Sequence, residues 1–258
     1  MDDLPGIAHY PLFLFVVAFV LLWFAASMAA SRFPNLKQRV TEDRAEFSIV
    51  QGGTLTLLGL IIGFSFSMAL NRYDQRKNLE EEEANAIGTE YLRADFLGAT
   101  ESASAKTLLL KSLDERVQFY TTRDPSDLVA IDERTARLQS ELWSLVRSAA
   151  SERPTPLMAI TVMGMNDVLN SQGYTLAAWR NRIPIAAWCL MIVIALCAVA
   201  SVGFGLRRAR SRSHLLPVLP LVVSVALFLI ADIDSPRRGT IRVVPQNLLS
   251  LSHALRMP

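Results

Sequence analysis

Two groups of carboxylates stand beside guanidinium groups in this chain. Asp232 and Asp234 precede Pro236, Arg237 and Arg238, and Glu80–Glu83 follow Arg76 and Lys77. Such neighbours build ion-pair networks: Arg76 and Lys77 lie four residues before Glu80 and Glu81, the spacing at which helical side chains meet. Four consecutive glutamates occupy every side of a helix, so some must be solvated and others paired. Nothing in the spacing asks for a divalent cation, and no metal site or cofactor is expected. Catalytic chemistry is not expected either. His9, His214 and His253 are scattered, and the chain has no glycine-rich phosphate loop and no nucleophile elbow. Cys189 and Cys197 fall eight residues apart in one apolar run. That is about 12 Å along a helix axis, too far for a disulfide, and both are expected as small buried hydrophobes.

The elements that must position these groups are four apolar runs without a charged residue: Leu12–Ala30, Phe47–Leu70, Ile183–Leu206 and Leu215–Ala231. A bilayer core of about 30 Å needs roughly 20 apolar residues in a helix, and each run is close to that length. The acidic leader Met1-Asp2-Asp3 lacks the basic start of a secretory signal, so the first run is expected as a retained helix. The expected fold is all-α: a four-span transmembrane bundle with a helical extramembrane domain between spans 2 and 3. Its parts are 1–70 (first pair of spans), 71–182 (helical domain), 183–232 (second pair) and 233–258 (tail). A net charge of +2, held in clusters and not on one basic face, gives no electrostatic case for nucleic acid.

Within the middle region, no breaker follows Leu70, so span 2 is expected to leave the membrane as one long helix reaching about Leu97, with Gly98 as the stop. Ser102–Thr122 carries Leu109, Leu113, Val117 and Tyr120 on one face. Asp124-Pro125 breaks it, and Ser126 or Asp127 is expected to cap the next helix. Pro154 and Pro156 punctuate again, and a last helix runs from about Leu157 towards Asn181. Basic residues near the span ends divide evenly between the two sides. Short loops weigh more than the margins of a long domain, so this rule alone leans towards an external middle domain.

Span 2 carries the pattern most open to function. Gly52, Thr56, Gly59, Gly63, Ser67 and Asn71 recur at spacings of three and four, along one helix face. Two readings stand: close packing of neighbouring helices, or a pore-lining stripe made by Thr56, Gly59, Gly63 and Ser67. Ile62 and Phe66, four apart on a neighbouring face, are candidates for an apolar neck, or else ordinary packing and lipid-facing residues. The membrane-exit motif Asn71, Arg72, Tyr73 and Asp74 reads as an interfacial anchor with Tyr73 at the headgroups, or as a binding site. Asp232, Asp234, Pro236 and Arg237 read as a salt-bridged network at the membrane border.

The stretch Thr56-Leu57-Leu58-Gly59-Leu60-Ile61-Ile62-Gly63-Phe64, continued by Asn71-Arg72-Tyr73-Asp74-Gln75-Arg76, resembles the pore helix and exit motif of bestrophins. Asp232-Ile233-Asp234-Ser235-Pro236 and Asn247-Leu248-Leu249 are similar to the segment closing their membrane domain. A bacterial bestrophin-like family is a nearer likeness, through Glu83-Ala84-Asn85-Ala86-Ile87-Gly88-Thr89, Arg180-Asn181-Arg182-Ile183-Pro184 and Asp234-Ser235-Pro236-Arg237-Arg238-Gly239. Gln75-Arg76-Lys77 stands where bestrophins commonly carry a Trp-Trp pair. What the resemblance implies is a pentameric homo-oligomer in the bacterial inner membrane, conducting small ions, chiefly anions, with span 2 lining the pore. It also implies that the termini and helical domain are cytoplasmic, leaving the basic loops Arg32–Arg44 and Arg207–Arg212 around the outer entrance. Membrane lipid is then its other partner. The competing class is a non-conducting scaffold or sensor that binds a partner through its helical domain.

Overall fold

A computed structural model describes residues 11–32, 44–206 and 216–257. Their regular structure is entirely helical. The order is α1 (Pro11–Arg32), α2 (Arg44–Arg93), a 3-10 turn (Ala94–Phe96), α3 (Ala99–Thr121), α4 (Pro125–Glu152), α5 (Pro156–Arg180), α6 (Ile185–Leu206), α7 (Val218–Asp234) and α8 (Gln246–Ala254). By length and hydropathy, Ala45–Phe96 and Pro156–Phe204 contain stretches able to cross a membrane, and Phe15–Met28 is a shorter apolar helix.

The helix boundaries follow from local chemistry. α2 runs unbroken from its apolar half into its charged half because nothing between Leu70 and Arg93 interrupts it; the intervening residues include no glycine but Gly88 and no proline. It ends close to the expected place: the α-helix gives way after Arg93 to the 3-10 turn, which runs to Phe96 with Leu97 as its cap. Gly98, with φ of −64°, is the N-cap of α3 and not a left-handed stop. Asp124, and not Ser126 or Asp127, caps α4. Its carboxylate accepts from the Ser126 amide at 2.9 Å, and Pro125 occupies the first turn, where a missing N–H does no harm. Thr155 caps α5 in the same way, accepting from the Met158 amide at 3.2 Å.

The chain divides into two compact units. The first comprises the described residues of Met1–Asn71 and Arg182–Ile241. Here α1 packs against α6 and α7, and α6 against α7, around Ala26, Met191, Ala195, Ala198 and Ile230. Small residues bring α1 and α6 together: a Cβ on Gly203 would run into the backbone of Ala26. Such close approach of two backbones adds van der Waals contact along the crossing. Gly203→Val is therefore expected to separate α1 from α6 and lower the melting temperature of the purified protein by several degrees. A Gly203→Val protein melting with the wild type would show that the crossing tolerates bulk.

The second unit comprises Arg72–Asn181 and the described residues of Arg242–Pro258. α3, α4 and α5 pack in succession, with α8 against α3. Ala84 and Ile87 of α2 join Leu109, Leu113, Phe119, Leu142, Met165, Trp179 and Leu248 in one core. Cys189 and Cys197 depart from expectation. Both are exposed on α6, because its inward register falls instead on Met191, Ala195, Ala198 and Val199.

Candidate functional site

α2 has two faces of opposite character. Leu58, Ser65, Ala69, Arg76, Glu80, Glu83, Ile87 and Glu90 are buried at helical spacing. Thr56, Gly59, Gly63, Ser67 and Asn71 lie on the more open side, about half a turn away by helix register. A Cβ built on Gly52, Gly53, Gly59 or Gly63 would meet nothing within 4 Å. These glycines therefore do not serve close packing inside the protomer. The open register continues through Asp74, Asn78, Glu81, Asn85 and Thr89. Ile62 is half-buried on the shoulder of this face, whereas Phe66 is 39% exposed. Leu60 and Phe64 are more open still, at 52% and 65%, and periodicity does not single them out.

In the exit motif, Asn71 and Asp74 are exposed, and Arg72 and Tyr73 are half-buried. Tyr73 packs against the core of the second unit, a role the headgroup reading does not anticipate. One turn later Arg76, 1% exposed, sends Nε to the carbonyl of Ala178 at 3.3 Å and Nη2 to that of Asn181 at 3.2 Å. Those carbonyls close the C-terminal end of α5, where the helix dipole is negative and orphan acceptors favour a cation.

The glutamate run resolves by register. Glu81 and Glu82 are exposed, while Glu80 and Glu83 are buried at 1%. Glu80 accepts from Asn247 Nδ2 at 2.7 Å and from the Leu248 amide at 3.0 Å, so it holds the first turn of α8. Glu83 pairs with buried Arg116 and accepts from Tyr120 Oη at 3.4 Å and Thr175 Oγ1 at 3.3 Å. The Arg116 guanidinium also lies 4.3 Å from the centre of the Phe119 ring, a favourable cation–π distance. Burial, with the Glu83 charge adding to it, pushes the Tyr120 hydroxyl well above the usual phenol range, so it stays a donor. Buried carboxylates at 80 and 83 continue the inward register of Arg76 and Ile87; that extended period is the available signal for them.

In the acidic–Pro segment, Asp232 takes a different role from the expected salt bridge. Asp232 and Asp234 are buried at 0% and 6%. The Asp232 carboxylate is met by the Thr240 amide at 2.7 Å, the Thr240 hydroxyl at 2.8 Å and the Ile241 amide at 2.8 Å, so its role is that of a backbone clamp and not an ion pair. Asp234 accepts from the Ile183 amide at 3.2 Å. Pro236 is buried and Arg237 half-buried in the turn that follows α7.

Among the described residues no cluster of three or more His, Cys, Asp or Glu could hold a metal ion. The basic loop positions Lys37, Arg39, Arg207, Arg208, Arg210 and Arg212, with His9, His214 and Leu215, lie outside the described residues.

The solved structures that this chain resembles share its fold over almost its whole length. One is a bacterial bestrophin homologue from Klebsiella pneumoniae carrying a point substitution: 14% identity, 93% of this chain and 97% of the other, TM-score 0.63. A structure of a bacterial bestrophin homologue from the same organism, phased on zinc, gives 15% identity over 94% and 99%, with a TM-score of 0.61. A crystal structure described only as a membrane protein gives 13%, 93% and 95%, with a TM-score of 0.64. No curated protein matches the chain. The bestrophin-like domain model matches residues 12–248. With nearly all of its helices inside that match, the chain belongs to the bestrophin-like domain family.

Proposed function

We propose that the protein is a homo-oligomeric, four-span membrane channel for small ions, with α2 of each copy lining the conduit. One observation carries this reading: Thr56, Gly59, Gly63 and Ser67 form an open face on an apolar helix, turned away from their own protomer's packing. A face of bare backbone and hydroxyls gains little from acyl chains, but leaves room for water and ions. Copies gathered about an axis would enclose that face. The family likeness supports a pentamer in the bacterial inner membrane, with the termini and the helical domain 71–182 in the cytoplasm. Ile62 and Phe66 are the proposed apolar neck, with Phe66 the more open of the two.

The likeness to bestrophins favours anions. Asp74, Glu81 and Glu82, exposed on α2 with Lys77, favour a second reading, cation preference, since carboxylates along a conduit raise the local concentration of cations. Purified protein in liposomes under a salt gradient separates the two by the sign of the reversal potential. Phe66→Ala is expected to raise ion flux several-fold by widening and wetting the neck. Absence of flux under varied salt, voltage and pH, or a monomeric mass in mild detergent, would overturn the channel.

A further inference from the structure

Among the described residues, Glu90 is a buried carboxylate left without a donor. Its side chain is 0% exposed, and neither oxygen has a hydrogen-bond partner. Glu80, Glu83 and Asp232, buried to the same degree, each accept two or more hydrogen bonds. Ionised and unpartnered, a carboxylate in such a place is strongly disfavoured.

Its surroundings come from two helices. On α5, Gly164 exposes bare backbone, and a Cβ there would overlap both the Glu90 carboxylate and Nη1 of Arg93. The acid and the guanidinium one turn later on α2 thus lie over the same patch of α5 without bonding. The charged groups acting on Glu90 are Arg93 from α2 and Asp167 from α5. Burial, chiefly, and the Asp167 charge push its pKa up to about 8, against the pull of Arg93. Arg93 is also the last residue of α2, and its carbonyl accepts from Thr161 Oγ1 of α5 at 3.5 Å. Any movement of Arg93 is therefore felt where α2 ends.

We propose that Glu90 is a proton-binding switch at the seam of α2 and α5: protonated, it lets the helices close over Gly164, and deprotonated, it draws in Arg93 and loosens the seam. The proton passes to water or hydroxide, the carboxylate gains a charge, and the guanidinium beside it becomes its partner. Nothing in this step depends on ion conduction, although under the channel reading the switch sits on the wall helix.

The test uses full-length protein in lipid nanodiscs. Infrared difference spectra are expected to show a protonated-carboxyl stretch at neutral pH that disappears as pH rises through about 8, and that Glu90→Gln lacks. Asp167→Asn, at an exposed position, is expected to move that midpoint to lower pH, because a neighbouring negative charge is gone. Hydrogen exchange of residues 88–96 and 157–168 is expected to quicken above the midpoint in the wild type and to stay flat in Glu90→Gln. A band missing at neutral pH, a midpoint unmoved by Asp167→Asn, or an alkaline quickening that survives Glu90→Gln would each overturn the switch.

Discussion

Glu83→Ala is expected to destabilise the second unit by about 3–5 kcal/mol, the range for removing one partner of a buried ion pair. Arg116 would remain 1% exposed with its charge uncompensated. The Phe119 ring at 4.3 Å cannot replace a carboxylate, since a desolvated cation–π contact is worth about 2 kcal/mol. Tyr120 and Thr175 would lose an acceptor in the same stroke. Arg116→Met alone is expected to do comparable harm, leaving Glu83 with two hydroxyl donors for a full negative charge. The double variant Glu83→Leu with Arg116→Met should lose clearly less than the two single losses added, because apolar groups of similar volume carry no desolvation penalty. Chemical denaturation followed by the signal of Trp179, whose ring stacks edge-on against Phe119 and Tyr120 at 5.1 and 5.3 Å, reads all three. A Glu83→Ala variant within about 0.5 kcal/mol of the wild type, the span of an ordinary surface change, would mean that the pair is hydrated.

That pair could not be read from the sequence, although much around it could. Apolar runs announce helices because a stretch near 20 residues without charge has few other uses, and Pro125 and Pro156 announce breaks between helices through their fixed φ, although the caps themselves, Asp124 and Thr155, are not singled out. The stripe of Thr56, Gly59, Gly63 and Ser67 is equally visible as a pattern. Its direction is not, since small residues at this spacing suit either a packed or an open face. The same chemistry is used for packing at Gly203, which belongs to no stripe and takes its meaning from Ala26 on a distant helix. The glutamates show the other limit. Local spacing pairs Glu80 and Glu81 with Arg76 and Lys77, but Glu83 is met by Arg116 and Thr175, and Glu80 by the start of α8. Partners that far along the chain leave no local trace. Glu90 lacks even those, and only its place in the inward register of α2 marks it as buried.

The effect of Glu90 on stability carries a definite sign. Its folded pKa lies above the unfolded value of 4.5, at about 8. Between those two values the folded chain binds more protons than the unfolded one, so stability falls as pH rises and levels off above the folded value. Glu90→Gln, neutral throughout, is expected to melt above the wild type on the alkaline side, with the margin shrinking towards acid. This ordering distinguishes a titrating acid from a merely structural contact, which would shift the melting temperature equally at every pH.

Asp232→Ala is expected to open the segment after α7 and to lower stability by about 2–4 kcal/mol, from the loss of hydrogen bonds to a buried charged acceptor. Three donors converge on that carboxylate: the Thr240 amide and hydroxyl and the Ile241 amide. The chain can return to them only because it turns tightly. The Ser235 amide donates to the carbonyl of Asp232 at 3.3 Å, and the Gly239 amide to that of Ser235 at 3.1 Å. Gly239 rests so closely on the Asp232 carbonyl that a Cβ would collide with it, and no flexible side chain is there to yield. Gly239→Ala should therefore weaken the clamp without touching a single donor or acceptor in it. Asp232→Asn separates charge from geometry: it keeps one acceptor oxygen but turns an amide NH2 towards donors, so only part of the stability should return. Hydrogen exchange over residues 235–241, with thermal melting, reads all three variants. If Asp232→Ala left that exchange slow, the turn would be held by packing around buried Pro236 and the carboxylate would be a bystander. If Gly239→Ala alone were silent, the turn would have room to shift and the clamp would reduce to the hydrogen bonds of Asp232.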